Sequence, residues 1–319
     1  MIDYRRHGAP SFDVVIVGGG PAGLSAGLVL GRCRRRVLIC DAGRPRNAVS
    51  HGLHGFLTRD GIEPSELTRI GREQLRKYET VQFRELEVVD AVREGNGFTI
   101  TIGNGMTLFC GKLLLATGVV DRLPEIQGFE LFYGRSAFHC PYCDGWEMRD
   151  QPIAVYGPGR HGFGLALELE AWSEDVVLCT DDPSQLNTED LARLSRLRIP
   201  LREELLVRLE GRDGMLERLV FEGGPPLDRR ALFFNVGERQ ASGLPQKLGC
   251  EFTEKGAVAT GTYETTNIPG LYVAGDASRA VQLAIVAAAE GAEAAFAINS
   301  ALIKEDLAAD EGRSETEVP

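Results

Sequence analysis

The 319-residue chain is poor in aromatic side chains (7%), in histidine (5) and in positive charge. Its 35 Lys and Arg stand against 46 Asp and Glu, a formal net charge of −11. Nucleic-acid backbones are bound through clustered cations, so this balance argues against a nucleic-acid partner. The main basic cluster, Arg32 to Arg36, is interrupted by Cys33 and reads as a solvated link between a helix and a strand. No apolar run approaches the roughly 20 residues of a membrane span. The early run Val14-Val15-Ile16-Val17 follows Asp13 and ends in glycines, so it reads as a strand rather than a secretory signal. The expectation is a cytoplasmic protein without a membrane partner. The seven cysteines form no disulfide framework. Cys33, Cys40, Cys110, Cys179 and Cys250 are scattered through mostly apolar, strand-like stretches and read as small buried hydrophobes.

Only Cys140 and Cys143 pair at short range. In a reducing compartment such a pair is redox-active or metal-binding more often than structural. Zinc needs about four ligands. No second Cys-x-x-Cys or His pair is present, so no metal site is expected.

Glycine, by contrast, is abundant (38 residues), and at two places it forms a closely spaced run after an apolar stretch. The β-branched run from Asp13 leads into Gly18-Gly19-Gly20-Pro21-Ala22-Gly23, followed by an Ala/Leu-rich helix over Ala22–Gly31. Strand, glycine turn and helix in that order make a dinucleotide fingerprint. Gly18 permits the tight turn, Gly20 lets the backbone approach a pyrophosphate, and Gly23 lets helix and strand pack closely. The helix N-terminus offers unpaired N–H groups to the phosphates. Asp41 ends the next strand, 23 residues beyond Gly18, where a carboxylate accepts from ribose hydroxyls.

The pattern repeats at Gly157-Pro158-Gly159-Arg160-His161-Gly162, with a helix expected over Phe163–Ser173 and a strand over Asp175–Cys179. Here the second strand delivers Thr180-Asp181-Asp182. A 2′-phosphate needs cations, and one like-charge pair at about 5 Å costs about 3 kcal/mol at an effective dielectric of roughly 20. The acidic pair therefore argues against NADPH, while Asp181 leaves NADH open as a ligand. Pro158 also removes one N–H from the turn. The preferred reading is a Rossmann scaffold that has kept its fold and lost its cofactor.

Taken in order, the Gly18–Gly23 fingerprint, Ala116-Thr117-Gly118, Cys140-Pro141-Tyr142-Cys143-Asp144-Gly145, the inserted fold and Gly275-Asp276 resemble the low-molecular-weight thioredoxin reductases over nearly the whole chain. The resemblance implies an α/β protein of two Rossmann-like domains, the second inserted into the first. FAD would be held by a discontinuous domain, 1–120 plus 246–319, and the redox pair would lie in an inserted domain, 121–245. The tail from Glu305 is expected to fray. The resemblance also implies FAD as the first ligand, Asp276 on the ribityl chain and Gln282 near the flavin pyrimidine edge. Cys143 would exchange electrons with the flavin, Cys140 would attack the substrate disulfide, and Asp144 would move protons. His139, directly before Cys140, could add positive charge, although a packing role fits it equally well.

The family's His-Arg-Arg run at the NADPH site is replaced by Thr180-Asp181-Asp182. Together with the segment from Arg46 to Phe56, this resembles a branch of NADPH-independent flavoproteins and dithiol oxidases. In that branch Asn47 and His54 would sit near the flavin. A homodimer is expected on the same ground. The expected activity is flavin-dependent thiol-disulfide exchange with a thioredoxin-like protein, from an unidentified electron donor. The alternative is oxygen-dependent oxidation of a small dithiol.

Overall fold

Parallel strands with neighbours on both sides are buried along their length, and the apolar runs of this sequence find such positions. The computed structural model describes residues 11–316. The first ten and last three residues of the expected FAD-binding domain lie outside them. The described chain forms two compact units. The first holds the chain through Arg46, Ser65–Val120 and the chain from Arg239; the second holds Asn47–Pro64 and Asp121–Glu238.

The first unit is built on a seven-stranded sheet. Its strands are β1 (Ser11–Val17), β2 (Val37–Asp41), β3 (Val81–Glu85), β4 (Val88–Glu94), β5 (Gly97–Ile102), β6 (Thr107–Leu115) and β17 (Leu271–Val273). The order is β3-β2-β1-β6-β5-β4, with β17 added on β6. β6 is long enough to serve two partners on the edge away from β1. Its first half pairs antiparallel with β5, and Leu113–Leu115 pair parallel with β17. The chain leaves β1 towards β2 and returns on its other side at β6, so the topological switch lies at the C-terminal end of β1, where such sheets bind ligands. Helices α1 (Pro21–Arg32), α2 (Pro64–Leu75), α6 (Leu244–Leu248) and α7 (Ala284–Thr316) complete the unit.

The second unit repeats the scheme. Its parallel sheet has the order β11-β10-β9-β15-β8. The strands are β8 (Ala137–Phe138), β9 (Ile153–Tyr156), β10 (Val176–Cys179), β11 (Leu201–Arg202) and β15 (Ala231–Phe234). An antiparallel sheet of β12 (Leu206–Arg212), β13 (Met215–Phe221) and β14 (Leu227–Asp228) covers a core of Phe129, Phe132, Leu216, Leu219 and Phe234. Helices α3 (Pro141–Asp144), α4 (Gly159–Leu169) and α5 (Thr188–Arg196) belong here. The two segments that pass between the units, β7 (Val119–Asp121) and β16 (Glu238–Gln240), pair with each other.

Several expectations differ from the structure. The return crossing falls at 238/239 rather than 245/246, because β16 is already paired with β7 there. Residues 47–64, assigned by sequence to the FAD part, pack with the second unit. Gly134 closes on Val49, and a Cβ there would stand 2.7 Å from the Val49 carbonyl. The tail does not fray at Glu305, since α7 continues to Thr316. Glu305 pairs with the buried Lys112, and Asp306 with Arg35 at 2.8 Å. The basic cluster is likewise only partly solvated: Arg35 also holds Asn299, and Arg36 holds Asp13. By length and mean hydropathy (1.2), Ala284–Glu311 could cross a membrane. In this fold its Ala287, Ala294, Ala295, Ile298 and Leu302 join the core shared with α1. The helix after the second fingerprint begins at Gly159 and ends at Leu169, four residues earlier at each end than expected.

Candidate redox and cofactor site

In the first unit the glycine fingerprint is shaped by its own close contacts. Gly18 has φ +113°, and a Cβ on it would stand 2.1 Å from the Ala116 carbonyl. On Gly23 a Cβ would stand 1.9 Å from the Gly18 carbonyl. Gly20 differs, since a Cβ there meets nothing within 4 Å, so its face opens onto space. Pro21 takes the first helical position and Gly20 the N-cap, leaving the α1 N-terminus facing that space. Ala22 packs against both Gly275 and Gly291, which brings the far-downstream Gly275-Asp276 turn to the fingerprint. Asp41 lies beside Gly19, its carboxylate held by Arg72 at 2.7 Å. The Thr117 hydroxyl is buried without a hydrogen-bond partner, and Gly118 turns at φ +67°. An open glycine face, a helix end, a poised carboxylate and an unsatisfied hydroxyl are what a dinucleotide such as FAD would complete. The residues present therefore fit the cofactor.

Around Asp276 the structure adds a residue that sequence reasoning missed. Arg46 donates to Asp276 at 3.0 Å and to the Gln282 side chain. Gln282 lies two residues before α7. Gly275 donates to the buried Glu290 at 2.7 Å, and Arg279 bridges Glu290 to the fully buried Glu264. Burial pushes both carboxyls upward, and their bonds to Arg279 oppose the shift. Arg46 and Asp276 are 230 residues apart, so no local pattern could have paired them.

In the second unit Cys140 and Cys143 form a disulfide across the first turn of α3. Gly145 is required behind it, since a Cβ would meet the Pro141 carbonyl at 2.5 Å and the Trp172 ring at 3.0 Å. Asp144 is half-buried, and burial, reinforced by the charge of Glu147, raises its carboxyl to about 7. A carboxyl at that value can hold or release a proton near neutral pH. His54 stands 3.6 Å from Glu147 and 3.9 Å from Asp60. The loop that sequence assigned to the flavin thus delivers His54 beside the redox motif, while Asn47 opens the turn closed by its carbonyl to Ser50. His139 lies 3.8 Å from the buried carboxylate of Asp121, which would offset any positive charge it carries towards Cys140. Tyr142, between the two cysteines, and Trp146, three residues beyond Cys143, are exposed, at 66% and 65%. Tyr142 stands edge-on to Trp172, and Arg149 stacks on Trp146.

At the second fingerprint Asp181 is bonded within its own unit. It adopts φ +63°, accepts from the Tyr156 hydroxyl and takes the Leu206 amide at 2.7 Å. Burial and this bond push the Tyr156 phenol above its ordinary value. The Ser184 carbonyl lies 3.5 Å from the position of a Cβ on Gly159, so the segment after β10 folds towards the glycine turn. Spacing along the chain offered Asp181 as a ribose acceptor but could not show these two bonds within its own unit.

A profile of the pyridine nucleotide-disulphide oxidoreductase family matches residues 12–291. The chain belongs to that family. Within it, a protein of Arthroderma benhamiae named "Probable thioredoxin reductase" is 31% identical over 302 residues, covering 84% of this chain and 74% of the relative. Thioredoxin reductase aclD of Aspergillus oryzae is 28% identical, covering 94% of this chain and 99% of the relative. The crystal structure of HlmI superposes with a TM-score of 0.92 at 36% identity, covering 98% of this chain and 99% of that one. An oxidoreductase structure from Agrobacterium tumefaciens gives 0.86 at 32% identity, over 92% and 99% of the two chains. This member is thus a low-molecular-weight thioredoxin reductase-like flavoprotein of two Rossmann domains, and a flavin-dependent thiol-disulfide oxidoreductase.

Proposed function

We propose that the protein exchanges electrons between FAD and a thioredoxin-like protein disulfide through Cys140 and Cys143, without using NADPH. The observation that carries the NADPH-independent reading is Asp181. Its carboxylate is bound into its own domain by Tyr156 and Leu206, and Asp182 adds a second negative charge beside it. The inward bonds of Asp181 weigh against it as a ribose acceptor for NADH as well. The donor is then a separate electron carrier or a thiol.

The residues that would hold FAD are Gly18, Gly20, Pro21, Ala22 and Gly23 with the α1 N-terminus for the pyrophosphate, Asp41 for the adenosine ribose, and Ala116, Thr117, Gly118, Gly275, Asp276 and Gln282 for the flavin half. Bound FAD supplies a two-electron donor and acceptor. In the dithiol form the Cys140 thiolate attacks the substrate disulfide, forming a mixed disulfide and releasing one substrate thiolate, which takes a proton from Asp144. The Cys143 thiol returns a proton to Asp144, and its sulfur attacks Cys140 Sγ. The second substrate thiolate leaves, takes a proton from water, and the intramolecular disulfide is restored. Asp144 is suited to both transfers by its elevated pKa.

A second reading, oxidation of a small dithiol with oxygen as the final acceptor, is favoured by the exposed Tyr142 and Trp146. Aromatic faces beside a disulfide suit a flat organic substrate. In either case a cytoplasmic homodimer is the expected setting.

The test is anaerobic mixing of the yellow holoprotein with NADPH, NADH, reduced thioredoxin or a small dithiol while flavin absorbance is followed. Slow or absent bleaching by both nicotinamides, with rapid equilibration with the thioredoxin couple, supports the proposal. Rapid bleaching by NADPH refutes it. Bleaching by small dithiols alone, with recovery in air, selects the oxidase.

A further inference from the structure

We infer that Arg46 is a positioning and electrostatic residue that favours the reduced over the oxidised state of the bound flavin. The inference rests on the assignment of Asp276 and Gln282 as flavin contacts. Arg46 donates to both of these side chains, at 3.0 Å to Asp276, and its own side chain is 15% exposed. A guanidinium is always charged near neutral pH, and in a half-buried setting its field is weakly screened.

The other arginine at this turn, Arg279, is tied to Glu264 and Glu290 at 2.7 Å each, so its charge is offset locally by two carboxylates. Arg46 pairs with Asp276 at 3.0 Å. Two-electron reduction of a flavin places negative charge on its pyrimidine ring near neutral pH, and a cation beside that ring stabilises this state over the neutral oxidised one. Removing the guanidinium takes away the attraction and leaves Asp276 uncompensated. Both changes disfavour the reduced state, so they act in the same direction.

The sequence hides this role. Arg46 lies outside both glycine fingerprints, and its partners are 230 and 236 residues further on.

The experiment compares the purified holoprotein with Arg46→Lys, Arg46→Gln and Arg46→Met. FAD content is measured first, then the flavin midpoint potential by anaerobic equilibration with indicator dyes. The expected result is a full complement of oxidised FAD in every variant. The neutral variants should show about a tenfold loss of preference for the reduced state, a fall of about 30 mV for a two-electron couple. Arg46→Lys should retain the wild-type potential. Met keeps the apolar stem in place, so misfolding of the Gln variant alone leaves the comparison intact. An unchanged potential in a neutral variant that holds FAD overturns the inference. So does release of oxidised FAD by the neutral variants, which would make Arg46 a cofactor-retention residue. Failure of the wild-type protein to hold FAD would instead refute the underlying cofactor assignment, and the two failures are separated by the first measurement.

Discussion

Replacing Asp144 by Asn tests the acid/base assignment through stability alone, without any substrate. The Asp144 carboxyl is raised from 3.8 to about 7, first by burial and then by Glu147. Below pH 3.8 the folded and unfolded chains both hold the proton, and the carboxyl costs nothing. Between pH 3.8 and about 7 the folded chain keeps a proton that the unfolded chain has released, so stability falls as pH rises. Above about 7 both states are ionised and the penalty is constant. The full shift corresponds to about 4 kcal/mol. Asp144 is half-buried, and water reaching the carboxylate reduces the expected figure to roughly 2 kcal/mol. Asn is uncharged at every pH and nearly isosteric. Urea unfolding of the oxidised wild type and Asp144→Asn, from about pH 5 to about pH 9, should therefore show the variant gaining on the wild type through this window and then levelling off. A difference that stays flat with pH would show that Asp144 titrates normally, and its role as proton donor near neutrality would fail.

Glu147→Gln should move the Asp144 transition to lower pH while leaving the disulfide intact, as read from the same pH series. Cys143→Ser is expected to abolish long-wavelength thiolate–flavin absorbance, and Cys140→Ser to preserve it; the reverse pattern would exchange the two roles. Asp181→Ala leaves the Leu206 amide without its acceptor and removes the Tyr156 hydroxyl's partner, so a loss of about 1–3 kcal/mol in chemical denaturation is expected. That variant should also fail to gain bleaching by NADPH. Gly291→Ala would place a Cβ 2.0 Å from the Ala22 carbonyl at the crossing of α1 and α7. About 2–4 kcal/mol of destabilisation and weaker FAD retention are expected, measured by thermal melting and flavin release.

Local chemistry made much of this protein legible in the sequence. The glycine turn at Gly18–Gly23, the carboxylate of Asp41 at the end of the next strand and the Cys140/Cys143 pair each sit at a fixed spacing within one βαβ unit or one helical turn, so spacing identifies them. The repeated Rossmann pattern follows for the same reason. The position of residues 47–64 could not be read this way, because membership of a unit is decided by packing such as that of Val49 on Gly134. The extension of α7 past Glu305 was hidden by its polar composition, since Lys112 and Arg35, which hold Glu305 and Asp306, lie far back in the chain.

The sequence by itself determined the two glycine turns, the order of the motifs and the spacing of the redox pair, since each is set by backbone geometry over a few residues. Tertiary structure alone decided where charged side chains found their partners. It turned Asp181 inward to Tyr156 and Leu206, brought Arg46 to Asp276 and Gln282, and set His54 beside Glu147. Pairing of such groups depends on which surfaces the folded backbone brings within a few ångströms, and spacing along the chain carries no record of that.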